Sequence, residues 1–159
     1  MTLLKTLMFT IVVPGSVTIL IPLWLLSLRS SAPMQIGILR YLGAIPILLG
    51  ASIYLWCAWD FTFAGRGTPA PIDPPKELVV RGLYRYVRNP MYVGVVSILF
   101  GEALFFESRT LFEYAAIVFI FFYLFVVLYE EPILTRKFGE SYRNYCKTIP
   151  RWIPWSIKG

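Results

Sequence analysis

The sequence predicts an all-α integral membrane protein with four transmembrane helices, the last two a helical hairpin, followed by a C-terminal interfacial helix. Three observations carry this. Of the 159 residues, 57% are hydrophobic and 15% charged, with a mean hydropathy of +0.65; soluble domains run nearer ~45–50% apolar and ~25% charged. The apolar residues gather in four stretches nearly free of charge. The lysines and arginines fall mostly between and after those stretches. At this length the chain is expected to be one membrane domain, 1–159.

The first span is expected at about 6–28, where no side chain is charged. As a helix rising ~1.5 Å per residue it reaches ~35 Å, enough to cross a ~30 Å hydrocarbon core. Pro14 and Pro22 predict kinks. The stretch is longer than a cleavable signal segment, and no small-residue cleavage site follows it. The second span is expected at about 36–59, with Arg40 near its start able to snorkel to the interface. The third, 92–106, is short and interrupted by Glu102. The fourth, 111–129, is dense in Phe, Ile, Val and Tyr. Between the last two, Glu107-Ser108-Arg109-Thr110 makes a tight polar turn.

Charge sets the orientation. Of the 15 basic residues, only Arg29, Arg40 and Arg109 fall on one side; the rest lie at the N-terminus, in the loop 60–91 and in the tail 130–159. The positive-inside rule places that basic side in the cytoplasm. In the tail, Leu134, Phe138, Tyr142 and Tyr145 recur at helical spacing, which predicts an amphipathic helix over about 132–147. Pro150 and Pro154 stop it, and Trp152 and Trp155 suit the headgroup level.

Composition also excludes. Histidine is absent, which removes Ser-His-Asp and Cys-His catalysis and His-ligated metal sites; no metal is expected. Cys57 and Cys146 stand far apart and alone, so no disulfide framework is implied. A net charge of +6 in so oily a chain points to anionic lipid and not to nucleic acid.

Two segments invite chemistry. The loop 60–91 is long for a connection between spans. Its first half, Gly65 to Pro75, is extended by prolines. It is no phosphate-binding glycine loop, because no strand precedes it. Its second half ends in Arg88-Asn89-Pro90-Met91-Tyr92 at the mouth of the third span. Asn89 before Pro90 favours extended backbone, and a helix starting there offers free N–H groups and a positive dipole end to an anion. The second segment is Glu130-Glu131-Pro132 at the end of span four. Two carboxylates there oppose the helix dipole and need a partner such as a ribose hydroxyl pair, an ammonium or an arginine. Hairpin geometry brings them to the same membrane face as Asn89–Tyr92.

The order Leu78-Val79, Gly82-x-Tyr84-Arg85-x-x-Arg88-Asn89-Pro90-x-Tyr92-x-Gly94, then Glu130-Glu131, Phe138-Gly139-x-x-Tyr142-x-x-Tyr145 and Pro150 resembles the isoprenylcysteine carboxyl methyltransferase family, which is related to the membrane phospholipid N-methyltransferases. The resemblance covers about 65–154. It implies a membrane methyltransferase that uses S-adenosylmethionine and releases S-adenosylhomocysteine. It implies that Lys76, Glu77, Leu78, Val79, Tyr84, Asn89, Pro90, Met91, Tyr92 and Glu130 hold the cofactor, with Arg88 and Glu131 as candidate catalytic residues. Expected partners are the lipid bilayer and a lipophilic acceptor entering laterally between spans. The family's common histidine before the proline is Asn89 here, which hydrogen-bonds but cannot titrate. Val126 stands where the prenylcysteine enzymes place a substrate-binding arginine.

Glu102 lies ~15 Å up the helix from Tyr92 and is assigned a pairing or interfacial role. Cys57 is read as a small hydrophobe. Two other readings compete: a phospholipid N-methyltransferase, and a non-enzymatic membrane subunit or transport component. A membrane reductase is disfavoured because such enzymes are longer and have more spans.

Overall fold

The computed structural model describes residues 12–28, 34–63, 78 and 80–154. Every regular element among them is helical. Helix α1 is Val12–Ser27. A 3-10 lead-in, Gly37–Gly43, opens into α2, Ala44–Phe63. A single 3-10 turn, Gly82–Arg85, precedes α3, Pro90–Phe105. Helix α4, Arg109–Phe125, runs through a π turn, Val126–Glu130, into α5, Glu131–Phe138. The last element is α6, Glu140–Thr148.

Prolines set where these helices leave regular geometry. Pro22 and Pro132 lack an N–H, and their rings crowd the carbonyl four residues back. In both places the helix widens by one residue just upstream. The Ile21 amide reaches back to the Ser16 carbonyl, and the Glu131 amide to the Val126 carbonyl. Pro90 stands at the first position of α3, where a missing N–H costs nothing.

Two helices are long and apolar enough to cross a membrane, Gly37–Asp60 and Arg109–Phe138; the apolar helices Val12–Ser27 and Pro90–Phe105 are shorter. Four spans are expected from sequence, and two reach that length among the described residues. Ile117, Leu48 and Leu128 are 65%, 68% and 71% exposed. Apolar faces this bare need a solvent of lipid, and the chain is a membrane protein.

Helices α2 and α3 pack antiparallel through glycines. Gly43 faces Gly101, and Gly50 faces Gly94. Small residues let two backbones approach closely in lipid, where apolar burial gives no drive to associate. The core beside this seam is Tyr54, Ala58, Val95, Leu99 and Ala115. At the far end, Ser108 caps α4 by accepting from the Leu111 amide at 3.3 Å. Glu107, at φ 52°, accepts from the Ile36 and Gly37 amides at 3.0 and 2.8 Å. One carboxylate thus caps the lead-in of α2 and ties it to the α3–α4 turn.

One expected element is corrected. The amphipathic helix over about 132–147 is two helices. Gly139, at φ 55°, breaks it, so α5 continues span four and only α6 turns away. Tyr142 and Tyr145 of α6 are buried. The loop is also shorter than the expected 60–91 at its start, because α2 runs to Phe63.

Candidate active site

The site lies where the mouth of α3 meets the π turn that ends α4. Asn89 lies outside the helical region but short of extended, at φ −126° and ψ 53°; the proline after it disfavours helical backbone there. Helical geometry then points Tyr92 at α4, and its phenol donates to Glu130 Oε2 at 3.0 Å. Successive helical residues diverge by ~100°, so Glu131 faces elsewhere. Arg88 donates to Glu131 Oε1 at 3.0 Å, and the same nitrogen donates to Cys146 Sγ at 2.8 Å. Arg151 grips Glu131 at two points, Nε to Oε1 at 2.8 Å and Nη2 to Oε2 at 3.0 Å.

The tail closes over this cluster. The Arg88 amide donates to the Pro150 carbonyl at 2.9 Å. The Asn89 side-chain amide donates to the Arg151 carbonyl at 3.2 Å, and the Tyr145 phenol to the Tyr84 carbonyl at 2.6 Å. Trp152 meets Phe119 edge-on at 5.6 Å. Burial pushes the Tyr84 phenol well above the usual tyrosine range, and the nearby Cys57 and Glu130 act the same way. Burial raises the Tyr142 and Tyr145 phenols too. Its hydrogen bond to Glu131 raises the Arg151 guanidinium.

Two cavities flank Arg88. The first, about 440 Å³, is lined by Tyr84, Arg88, Asn89, Met91, Tyr92 and Glu130, with apolar walls from α1 (Val13, Pro14, Val17) and α4 (Ile117, Val118, Phe121, Phe122, Phe125). The second, about 490 Å³, lies toward the tail, against Cys146, Lys147, Arg151 and Trp152.

The first cavity therefore unites Tyr84, Asn89, Met91, Tyr92 and Glu130 of the expected cofactor residues, together with Arg88. Pro90 is buried behind it as the start of α3. Leu78 and Glu131 do not line it. Lys76, Glu77 and Val79 lie outside the described residues. Sequence reasoning missed Arg151, Cys146 and Tyr145, whose partners lie 20 to 61 residues away. It also missed the α1 wall, for which an apolar stretch gives no local signal.

Comparison with known proteins bears on this site. The phospholipid methyltransferase family matches residues 38–141, from the lead-in of α2 into α6. The chain is 33% identical over 73 residues to methanethiol S-methyltransferase 1 of Bradyrhizobium diazoefficiens, covering 46% of this chain and 25% of that protein. It is 38% identical over 80 residues to protein-S-isoprenylcysteine O-methyltransferase of Schizosaccharomyces pombe, covering 48% and 33%. It is 30% identical over 112 residues to the nickel-cobalt-cadmium resistance protein NccN of Alcaligenes xylosoxydans xylosoxydans, covering 70% and 48%. The matched region thus spans less than half the length of each relative. No solved structure matches. The family match takes in the mouth of α3, the paired glutamates and most of the chain, and the chain belongs to the phospholipid methyltransferase family.

Proposed function

We propose that the protein is an S-adenosylmethionine-dependent methyltransferase acting on a lipophilic or lipid-linked acceptor at the cytoplasmic membrane face. One observation carries this reading: a single cavity joins a polar floor of Tyr84, Asn89, Tyr92 and Glu130 to an apolar wall from α1 and α4. A polar methyl donor and an oily acceptor need such a joined site.

The residues fit the donor. Glu130 gives one carboxylate oxygen to Tyr92; the other has no partner among the described residues and can accept from a ribose hydroxyl or an ammonium. Tyr92 and Phe122, with ring centroids 4.6 Å apart, offer π faces that attract a cation by ~0.5–2 kcal/mol. When bound, the cofactor supplies a methyl carbon already electrophilic on a sulfonium sulfur. The protein's part is to orient and enclose; proximity alone can supply ~7–11 kcal/mol.

Proton handling falls to few groups. Asn89 cannot titrate. Glu131 is held on both oxygens by guanidinium groups, so in this reading it positions Arg88 instead of accepting a proton. Glu130 is the carboxylate that reaches the cavity. An amine acceptor would depend on it, whereas a carboxylate or thiolate needs no base. Val126 is 1% exposed, packed where the prenylcysteine enzymes carry an arginine, so no cation meets an acceptor carboxylate there.

The test is calorimetric titration of S-adenosylhomocysteine into detergent-purified protein. Saturable binding is expected in the wild type, with loss in Glu130→Ala and Tyr92→Ala. A folded wild type that does not bind would overturn the reading and put a non-enzymatic membrane subunit first.

A further inference from the structure

The second cavity holds none of the residues proposed to bind the cofactor and shares only Arg88 with the first. Its walls include the cations Arg88, Lys147 and Arg151, and no lining residue is acidic. Glu131, behind the wall, binds both arginines and offsets one charge. Lys147 has no ion pair among the described residues. The Nε of Arg88 and the Nε1 of Trp152 are both buried without an acceptor. Those two donors lie out of solvent's reach; it is three cations set against one carboxylate that favour a ligand that is anionic and rich in acceptor oxygens.

We propose that this cavity binds a phosphate ester. A phosphate group presents several acceptor oxygens, and a guanidinium fork meets it at two points. The rim also carries Ile153, 65% exposed, beside Trp152. An apolar rim next to clustered cations suits the phosphate of a membrane lipid at headgroup depth. Arg88 is the wall common to both cavities. A phosphate there would share the Arg88 guanidinium with Glu131. This inference stands on the cavity and its cations, independently of which cofactor the first cavity takes.

The experiment is calorimetry on the whole protein in a phosphate-free maltoside detergent, with two probes: monomeric dihexanoylphosphatidylglycerol and glycerol 3-phosphate. Saturable binding of either is expected, weakened about fivefold or more by Lys147→Gln as one charge-assisted contact is lost. Arg143→Gln, which removes an equal charge from an exposed position on the same helix, is expected to leave binding within about twofold. Tighter binding of the lipid than of glycerol 3-phosphate assigns the site to headgroups; equal binding assigns it to soluble phosphate esters. Equal loss in both variants would show unspecific surface charge and overturn the proposal, as would no saturable binding of either probe. S-adenosylhomocysteine titrated into the same wild-type preparation reports separately on the first cavity, so each reading fails on its own.

Discussion

The Tyr92 phenol donates to Glu130 Oε2 at 3.0 Å and ties the first turn of α3 to the π turn that ends α4. The bond also fixes which carboxylate oxygen of Glu130 is left for a ligand. Tyr92→Phe keeps the ring against Phe122 and removes only the hydroxyl. Affinity for S-adenosylhomocysteine is expected to fall about 3–10-fold, the worth of one ordinary hydrogen bond, because the hydroxyl acts on the ligand only through Glu130. Glu130→Gln, which keeps the shape and removes the charge, should cost more, about 10–100-fold. Calorimetry on both variants decides. Wild-type affinity in both would make the pair structural.

Arg151 holds Glu131 in a fork that an ammonium cannot reproduce. Arg151→Lys keeps the charge and loses one of two bonds, so Tm in detergent should drop, by the equivalent of about 1 kcal/mol. Glu131→Gln leaves two guanidinium groups facing each other and should cost more, about 2–4 kcal/mol at this partial burial. If Glu131 acts by positioning Arg88, Glu131→Gln lowers kcat with little change in KM for the methyl donor, and Glu131→Asp restores part of it. A pure stability effect with kcat intact would remove Glu131 from the mechanism.

Much of this arrangement was legible in the chain, for local reasons. Asn89 before Pro90 predicts a non-helical residue followed by a helix start, and α3 begins at Pro90, although Asn89 at ψ 53° stops short of the extended backbone expected. The polar run Glu107 to Thr110 marks the turn between α3 and α4; only Glu107 and Ser108 of it lie outside the helices, and Ser108 caps α4, which begins at Arg109. The paired glutamates at the end of an apolar helix call for partners, and arginines supply them for Glu131. What was not legible depends on distance or on phase. Arg151 near an interface reads as a lipid contact, because nothing local reveals a carboxylate 20 residues earlier. Leu134, Phe138, Tyr142 and Tyr145 keep helical spacing across Gly139, so periodicity alone hides the break at φ 55°. The seven-residue glycine spacing, Gly43 to Gly50 across the lead-in and α2 and Gly94 to Gly101 in α3, carries no hydropathy signal, yet it sets the helix contact behind the site.

That contact gives a sharp stability prediction. A methyl group on Gly94 would stand 2.8 Å from the Gly50 carbonyl oxygen, and one on Gly101 2.6 Å from that of Gly43. Both obstacles are backbone, so the helices must separate. Gly94→Ala and Gly101→Ala should each lower stability by about 1–3 kcal/mol, as overpacking does. Gly94→Ala should also weaken ligand binding, because Tyr92 sits two residues away on the same turn. Leu48→Ala, at a position 68% exposed to lipid, is the control expected to change little. Thermal unfolding in detergent measures all three.

The last prediction concerns pH. Tyr84, Tyr142 and Tyr145 all have raised phenol pKa values, with burial the largest cause in each. A phenol ionises near pH ~10 in an unfolded chain. For a group whose folded pKa is higher, the folded state binds the proton more tightly. Its contribution is then fully present below ~10 and declines as pH rises toward the folded value. Tm should therefore hold from neutrality to about pH 9 and fall steeply above ~10. Tyr145→Phe removes one such phenol, and with it the 2.6 Å bond to the Tyr84 carbonyl. The variant should start less stable at neutral pH and lose less on going alkaline, so the two curves converge. Parallel curves would mean that the Tyr145 phenol ionises in the folded protein as freely as in the unfolded chain.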